Sequence, residues 1–270
     1  MPPLRLALLA LMLPACKSVD PAPKELDALF HYMWEKYEQG SDEELAEAAV
    51  NLHEAVSSSE RKEGLDGTLS NLEAADLDLV GVDAKASEAQ GLFLVRRLGC
   101  DLDQLKALLS YKDQASLYEG TYARYDRRFT GDASREDFLA EEAPVLTWAV
   151  DYRVEDLVDY DASVKGGLRS VPRLDAEQSP HGPLLLARTW MPKPATFDKD
   201  KDDLYFDQDY QIELFYQDGK GELQHFYAIW REVSYTASAH SESEDFQRIL
   251  LNNLSDWDDD TEALCEAGRP

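Results

Sequence analysis

The chain has 270 residues, 44% of them hydrophobic, enough for a sizeable core in one or two domains. Asp and Glu outnumber Lys and Arg by 54 to 27, a net charge of −27. A surface this negative excludes nucleic acid as a partner, since phosphate needs cationic surface. It is also repelled by anionic lipid, so a covalent anchor is the expected means of staying at a membrane.

The first fifteen residues, MPPLRLALLALMLPA, carry an uncharged apolar run of ten residues from Leu6 to Ala15. That is half of the about 20 that a membrane-spanning helix takes. Arg5 and the terminal amine precede the run and small Ala15 ends it, so residues 1–15 read as a signal peptide. The quartet Leu13-Pro14-Ala15-Cys16 resembles the lipobox of bacterial lipoprotein precursors, with Pro14 an uncommon occupant of its position. The resemblance implies cleavage before Cys16, acylation of Cys16 as the mature N-terminus, and membrane attachment through that lipid. Lys17, where Asp would signal retention, implies the outer membrane, on its periplasmic or outward side. Read without the resemblance, the same residues form an ordinary cleaved secretion signal.

Residues 16–24 then read as a lipidated, proline-bearing tether. Leu26, Leu29, Phe30, Met33, Trp34 and Tyr37 follow at helical spacing, and Gly40 stops them. Ser41 with Glu44 forms a capping box, after which Leu45, Ala48, Ala49, Leu52 and Val56 make a second apolar stripe. Residues 25–58 are therefore expected to form a helical hairpin, with His31 and His53 off the apolar faces and solvated. The serines and glycines that follow make residues 59–89 a linker or loop region.

Residues 90–270 are expected to form an α+β domain. QGLFLVRRL reads as a strand, and Asp101 caps a short helix bearing Leu102, Leu105 and Leu108. Residues 117–130 carry Tyr118, Tyr122, Tyr125 and Phe129 without a decisive period, and Ser134 with Asp137 starts another short helix. From residue 145 the period becomes two: Leu146, Trp148, Val150, Tyr152 and Val154 alternate with more polar neighbours. SVKGGLRSV and LLLARTW continue the pattern, and DYQIELFYQ and ELQHFYAIWREV flank DGKG as a hairpin. A two- or four-residue loop there places Tyr210 on the same face as His225, Tyr227 and Arg231, whereas a three-residue loop breaks that arrangement. Ser241 and Glu244 cap a last helix bearing Phe246, Ile249, Leu250 and Leu254. The fold class is α+β: an N-terminal helical hairpin, an antiparallel sheet with short helices, and a C-terminal helix. The element order from about residue 90 is similar to the helix-grip arrangement of START-like domains. That resemblance implies a curved sheet wrapping the C-terminal helix around a ligand cavity.

No nucleophile, zinc-binding or phosphate-cradling motif is present, so no catalytic residue is assigned. Tyr210, His225, Tyr227 and Arg231 form a candidate ligand face of aromatics with a few polar groups. The same four also describe a core histidine satisfied by tyrosine hydroxyls. Asp198, Asp200, Asp202 and Asp209 fall at positions 1, 3, 5 and 12 of a calcium-loop pattern. Asp203 stands where that pattern wants Gly, Asp209 where it wants Glu, and prolines precede it, so a solvated acidic loop is the other reading. With Cys16 lipidated, Cys100 and Cys265 remain as a disulfide or as two buried thiols. The function expected is an outer-membrane-anchored lipoprotein acting as a non-enzymatic ligand-binding or envelope-assembly module, with a small molecule or envelope protein as partner. A cell-envelope hydrolase with sequence-distant catalytic groups and a purely structural lipoprotein are the alternatives.

Overall fold

Two helices, α1 (Leu26–Gln39) and α2 (Asp42–Ser57), begin the described part of the chain. The computed structural model describes residues 21–57, 64–155, 159–173, 182–197, 204–218, 220–235 and 244–269. The capping box forms as expected. Ser41 N–H donates to Glu44 Oε2 at 2.8 Å and Glu44 N–H to Ser41 Oγ at 3.2 Å. Leu29, Phe30, Met33, Trp34 and Tyr37 are buried, and so are Leu45, Ala48, Ala49 and Leu52. The last residues of the expected tether lie against this hairpin, where Asn51 Nδ2 donates to the carbonyls of Ala22 and Pro23 at 3.2 and 2.8 Å.

Nine strands follow among the described residues: β1 (Leu65–Leu69), β2 (Gln90–Leu98), β3 (Arg124–Thr130), β4 (Val145–Glu155), β5 (Asp159–Val171), β6 (Leu184–Trp190), β7 (Thr196–Phe197), β8 (Leu204–Gln217) and β9 (Leu223–Tyr235). They make one sheet in the order β1-β2-β9-β8-β6-β5-β4-β3, with β7 pairing β5. Every pairing is antiparallel. The region read as a linker contributes β1, which zips onto β2 from Leu65↔Val95 to Leu69↔Gly91. As an edge strand of five residues it turns only Leu65, Gly67 and Leu69 toward the core, too few to show a period. Short helix α3 (Ala74–Asp78) follows it and buries Leu77.

The helical hairpin covers one face of this sheet. Trp34 meets Trp230 and Tyr210 edge-on, with ring centroids 6.1 and 6.0 Å apart, in a core shared with Phe93 and Phe226. Arg169 of β5 fastens the bend between α1 and α2. It donates to the carbonyls of Tyr37 and Gly40 at 2.8 and 2.7 Å and to the Asp42 carboxylate at 2.9 Å, satisfying carbonyls that the end of α1 leaves open. His31 and His53 are half-buried rather than solvated. His31 sits against the Trp230 ring, and His53 Nδ1 is 2.7 Å from Gln224 Oε1.

The β8–β9 hairpin takes the three-residue loop. Asp218 N–H donates to Glu222 O, Gly221 N–H to Asp218 O, and Gly221 has φ 86°, a left-handed value that glycine adopts without strain. The partners are therefore Gln217↔Leu223, Phe215↔His225 and Tyr210↔Trp230. This is one residue off the register expected, and from Gln208 to Gln217 it turns the β8 side chains to the opposite face, until a bulge between Phe206 and Gln208 restores the expected pairing. Tyr210 consequently packs under the helical hairpin, while Glu213 and Phe215 share the other face with His225 and Tyr227.

That second face carries α4 (Leu102–Leu109), α5 (Arg135–Leu139) and the long α6 (Glu244–Glu266). Leu250 of α6, with Leu251 and Leu254, packs on Leu92, Leu94, Tyr227 and Ile229. Further along, Arg96 donates to Ser255 O and Asp259 Oδ1 at 2.6 and 2.8 Å. A disulfide then joins Cys265 to Cys100, with Cα atoms 5.5 Å apart. The approach is close enough that a Cβ on Gly99 would lie 1.9 Å from Glu262 Oε1. Among the described residues no helix is long and apolar enough to cross a membrane.

Candidate functional site

Between this second face and α6 lies a cavity of about 370 Å³. It exists because β3, β4 and β5 carry the sheet past the segment on which α6 rests, and aromatic side chains of those strands wall the remaining space. Tyr125 of β3 and Trp148 and Tyr152 of β4 contribute, with Tyr118 and Tyr122 from the segment before β3 and Trp257 from α6. The tyrosines touch one another, with Tyr122 lying 4.9 Å from Tyr125 and 5.5 Å from Tyr152 between ring centroids. Burial pushes the Tyr122 and Tyr152 phenols well above their ordinary range, so these walls stay neutral. Tyr118 is pushed up to about 12 by burial, and its hydroxyl is 2.8 Å from Thr261 Oγ1 on α6.

His225 stands at the α6 side of the cavity, 3% exposed. Its Nδ1 is 2.7 Å from Asp258 Oδ1 of α6, and its ring stacks on Phe215 at 4.3 Å. Nε2 is 3.3 Å from Glu213 Oε2, an ion pair without hydrogen-bond alignment. Burial pulls the imidazole's pKa down, but the charge and hydrogen bond of Asp258, joined by Glu213, outweigh it and raise the value to about 9. His225 is therefore charged at neutral pH and ties α6 to the sheet. Arg231, on the same face, binds Asp209 through Nε, and Gln211 Nε2 donates to the other carboxylate oxygen at 2.5 Å. Burial opposes the charge on Arg231, yet Asp209 holds its pKa above the ordinary guanidinium value.

A further cation, Arg127, lines the cavity from β3 and is 8% exposed. Its guanidinium lies over the Trp148 ring at 4.5 Å and the Tyr125 ring at 5.8 Å. Nη1 donates to the carbonyls of Leu109 and Tyr111 at 2.7 and 3.0 Å, capping the end of α4. Nε is buried without a hydrogen-bond partner.

Of the sequence-derived ligand face, the structure brings His225, Tyr227 and Arg231 together at the cavity and removes Tyr210. The Tyr210 hydroxyl bonds Gln208 Oε1 at 2.9 Å on the far side of the sheet. Neither alternative for His225 holds in full, since carboxylates rather than tyrosine hydroxyls satisfy it. Of the acidic run, Asp209 is engaged as described, and Asp198, Asp200 and Asp202 lie outside the described residues, as does Cys16. Among the described residues no cluster of three or more metal-ligating side chains occurs. Sequence reasoning missed Glu213, Asp258 and Arg127. For Asp258 a signal existed: it falls with Leu250, Leu254, Thr261 and Cys265 on one helical stripe, so it faces inward. Arg127 alternates with Tyr125 and Phe129, a period-two pattern in the stretch that read as ambiguous.

Fold and cavity together define an α+β module of helix-grip type, with a C-terminal helix laid over one face of an antiparallel sheet. Several solved structures are similar to part of the chain. They include human STARD10 (8% identity, TM-score 0.40, covering 73% of this chain and 81% of that one) and the human StarD13 (DLC2) lipid transfer and protein localization domain (10%, 0.38, 68% and 79%). Truncated norcoclaurine synthase from Thalictrum flavum is similar too (12%, 0.35, 65% and 92%). At such identities and TM-scores the likeness carries no argument about function. No protein-family model and no curated protein sequence matches the chain.

Proposed function

We propose that the chain is a non-enzymatic binding module for a small molecule, held at the outer membrane through an acylated Cys16. The observation that carries the binding reading is the cavity, whose volume of about 370 Å³ falls within the roughly 300–1,000 Å³ of small-molecule sites. Its walls are aromatic with a few convergent polar groups, the composition such sites favour. A purely structural lipoprotein would fill this space with side chains. A hydrolase would need a base, and His225 does not serve: both ring nitrogens face carboxylates, and it is already protonated at neutral pH. Anchoring rests on the Leu13-Pro14-Ala15-Cys16 resemblance, and the Cys100–Cys265 disulfide supports an oxidising compartment.

Non-denaturing mass spectrometry on protein gently extracted from its own membranes tests both parts. The expected mass is that of a chain starting at Cys16 with acyl groups added, plus a retained small-molecule adduct. Filling the cavity with Val164→Trp removes the adduct, whereas Tyr210→Phe, on the other face, keeps it. A chain that arrives bare and takes up no apolar probe overturns the binding reading. An unlipidated product cut elsewhere overturns the anchoring.

A further inference from the structure

We propose that the cavity takes an amphipathic anion, an apolar body carrying one carboxylate or phosphate monoester head, and that Arg127 receives the head. This deepens the binding reading and rests on it. Charged side chains line the cavity at four places, and three are accounted for within the protein. Glu213 pairs with His225, which also pairs with Asp258, and Arg231 pairs with Asp209. Only Arg127 has no carboxylate partner among the described residues.

A guanidinium does not shed its proton at physiological pH, so Arg127 is a full positive charge withdrawn from water. Burial also depresses its pKa below the ordinary guanidinium value, against the opposing effect of the neighbouring Tyr125 hydroxyl. Two features make it a receptor for an anion and not merely a strut. First, the carbonyls of Leu109 and Tyr111 occupy Nη1 and hold the group rigidly, so little ordering is needed when a ligand arrives. Second, the Nε–H remains unpartnered, and an anion supplies the acceptor and counter-charge together. Trp148 and Tyr125 flank the guanidinium, and an apolar body attached to the head would run along the aromatic wall toward Trp257.

Trp148 and Trp257 line the cavity, so tryptophan fluorescence reports occupancy during titration with dodecanoate, monododecyl phosphate and dodecanol. The full chain should bind at least one of the two anions ten-fold or more tighter than the alcohol, and the preferred anion identifies the head. Arg127→Gln should abolish that preference, lowering the affinity for the preferred anion at least ten-fold more than the affinity for dodecanol. Arg127→Lys, which keeps the charge but loses the fork, should retain part of it and covers the case in which Arg127→Gln fails to fold. Equal binding of anions and alcohol by the unmodified chain overturns the assignment of Arg127 and leaves the binding module standing. A preference that survives unchanged in Arg127→Gln overturns it as well. Failure of all three compounds to bind removes the cavity reading and this assignment together.

Discussion

Replacing Asp258 by asparagine removes the carboxylate that does most to keep His225 charged while preserving the size of the side chain. In the folded protein His225 titrates at about 9, against an ordinary value of about 6.5 in the unfolded chain. Below pH 6.5 both states hold the proton and the full contribution is present. Between about 6.5 and 9 the unfolded chain has released its proton while the folded one keeps it, so stability falls as pH rises. Above 9 the contribution is gone. The gap corresponds to on the order of 3 kcal/mol at neutral pH and below. Urea unfolding of the wild type and Asp258→Asn at half-unit steps from pH 6 to 9.5 isolates this site, because whatever the two proteins share cancels in the difference. The difference should be about 3 kcal/mol at pH 6 and shrink toward zero by pH 9.5. A difference that stays constant with pH would refute the reasoning, since it would mean that Asp258 acts by packing and not through the charge on His225.

The disulfide between Cys100 and Cys265, 165 positions apart, closes a loop for which chain entropy alone gives roughly 5 kcal/mol. Reduction, or a double Cys→Ala replacement, should lower the thermal midpoint markedly, and an unchanged midpoint would count against the link. Arg169→Met leaves the buried carbonyls of Tyr37 and Gly40 without their donor and should cost about 3 kcal/mol in urea unfolding. A loss under about 1 kcal/mol would show that water replaces the guanidinium there.

The helical hairpin, its capping box, the strands from residue 145 and the closing helix were legible because each rests on a local period. Six residues at helical spacing say which side of α1 is buried, whatever it packs against. The half-cystine pair was legible as one of two options. The ligand face was legible only in part, because its membership depends on how many residues DGKG spends on the turn. One glycine in a left-handed conformation shifted the register by one and exchanged Tyr210 for Glu213. Edge strand β1 stayed hidden because a strand paired on one side turns too few apolar residues inward to make a pattern. The ion pairs that fix α6 to the sheet join residues 33 apart in sequence, from His225 to Asp258, and 163 apart, from Arg96 to Asp259. No window of sequence contains both partners.

The sequence by itself determined the net negative charge, the α+β class and the order of the main elements, since charge and periodicity are properties of neighbouring residues. The tertiary structure alone decided which faces meet, where the cavity lies, and that Arg127 stands in it with no carboxylate partner among the described residues. Those outcomes depend on register and on contacts between distant segments, and neither is encoded in any local stretch of the chain.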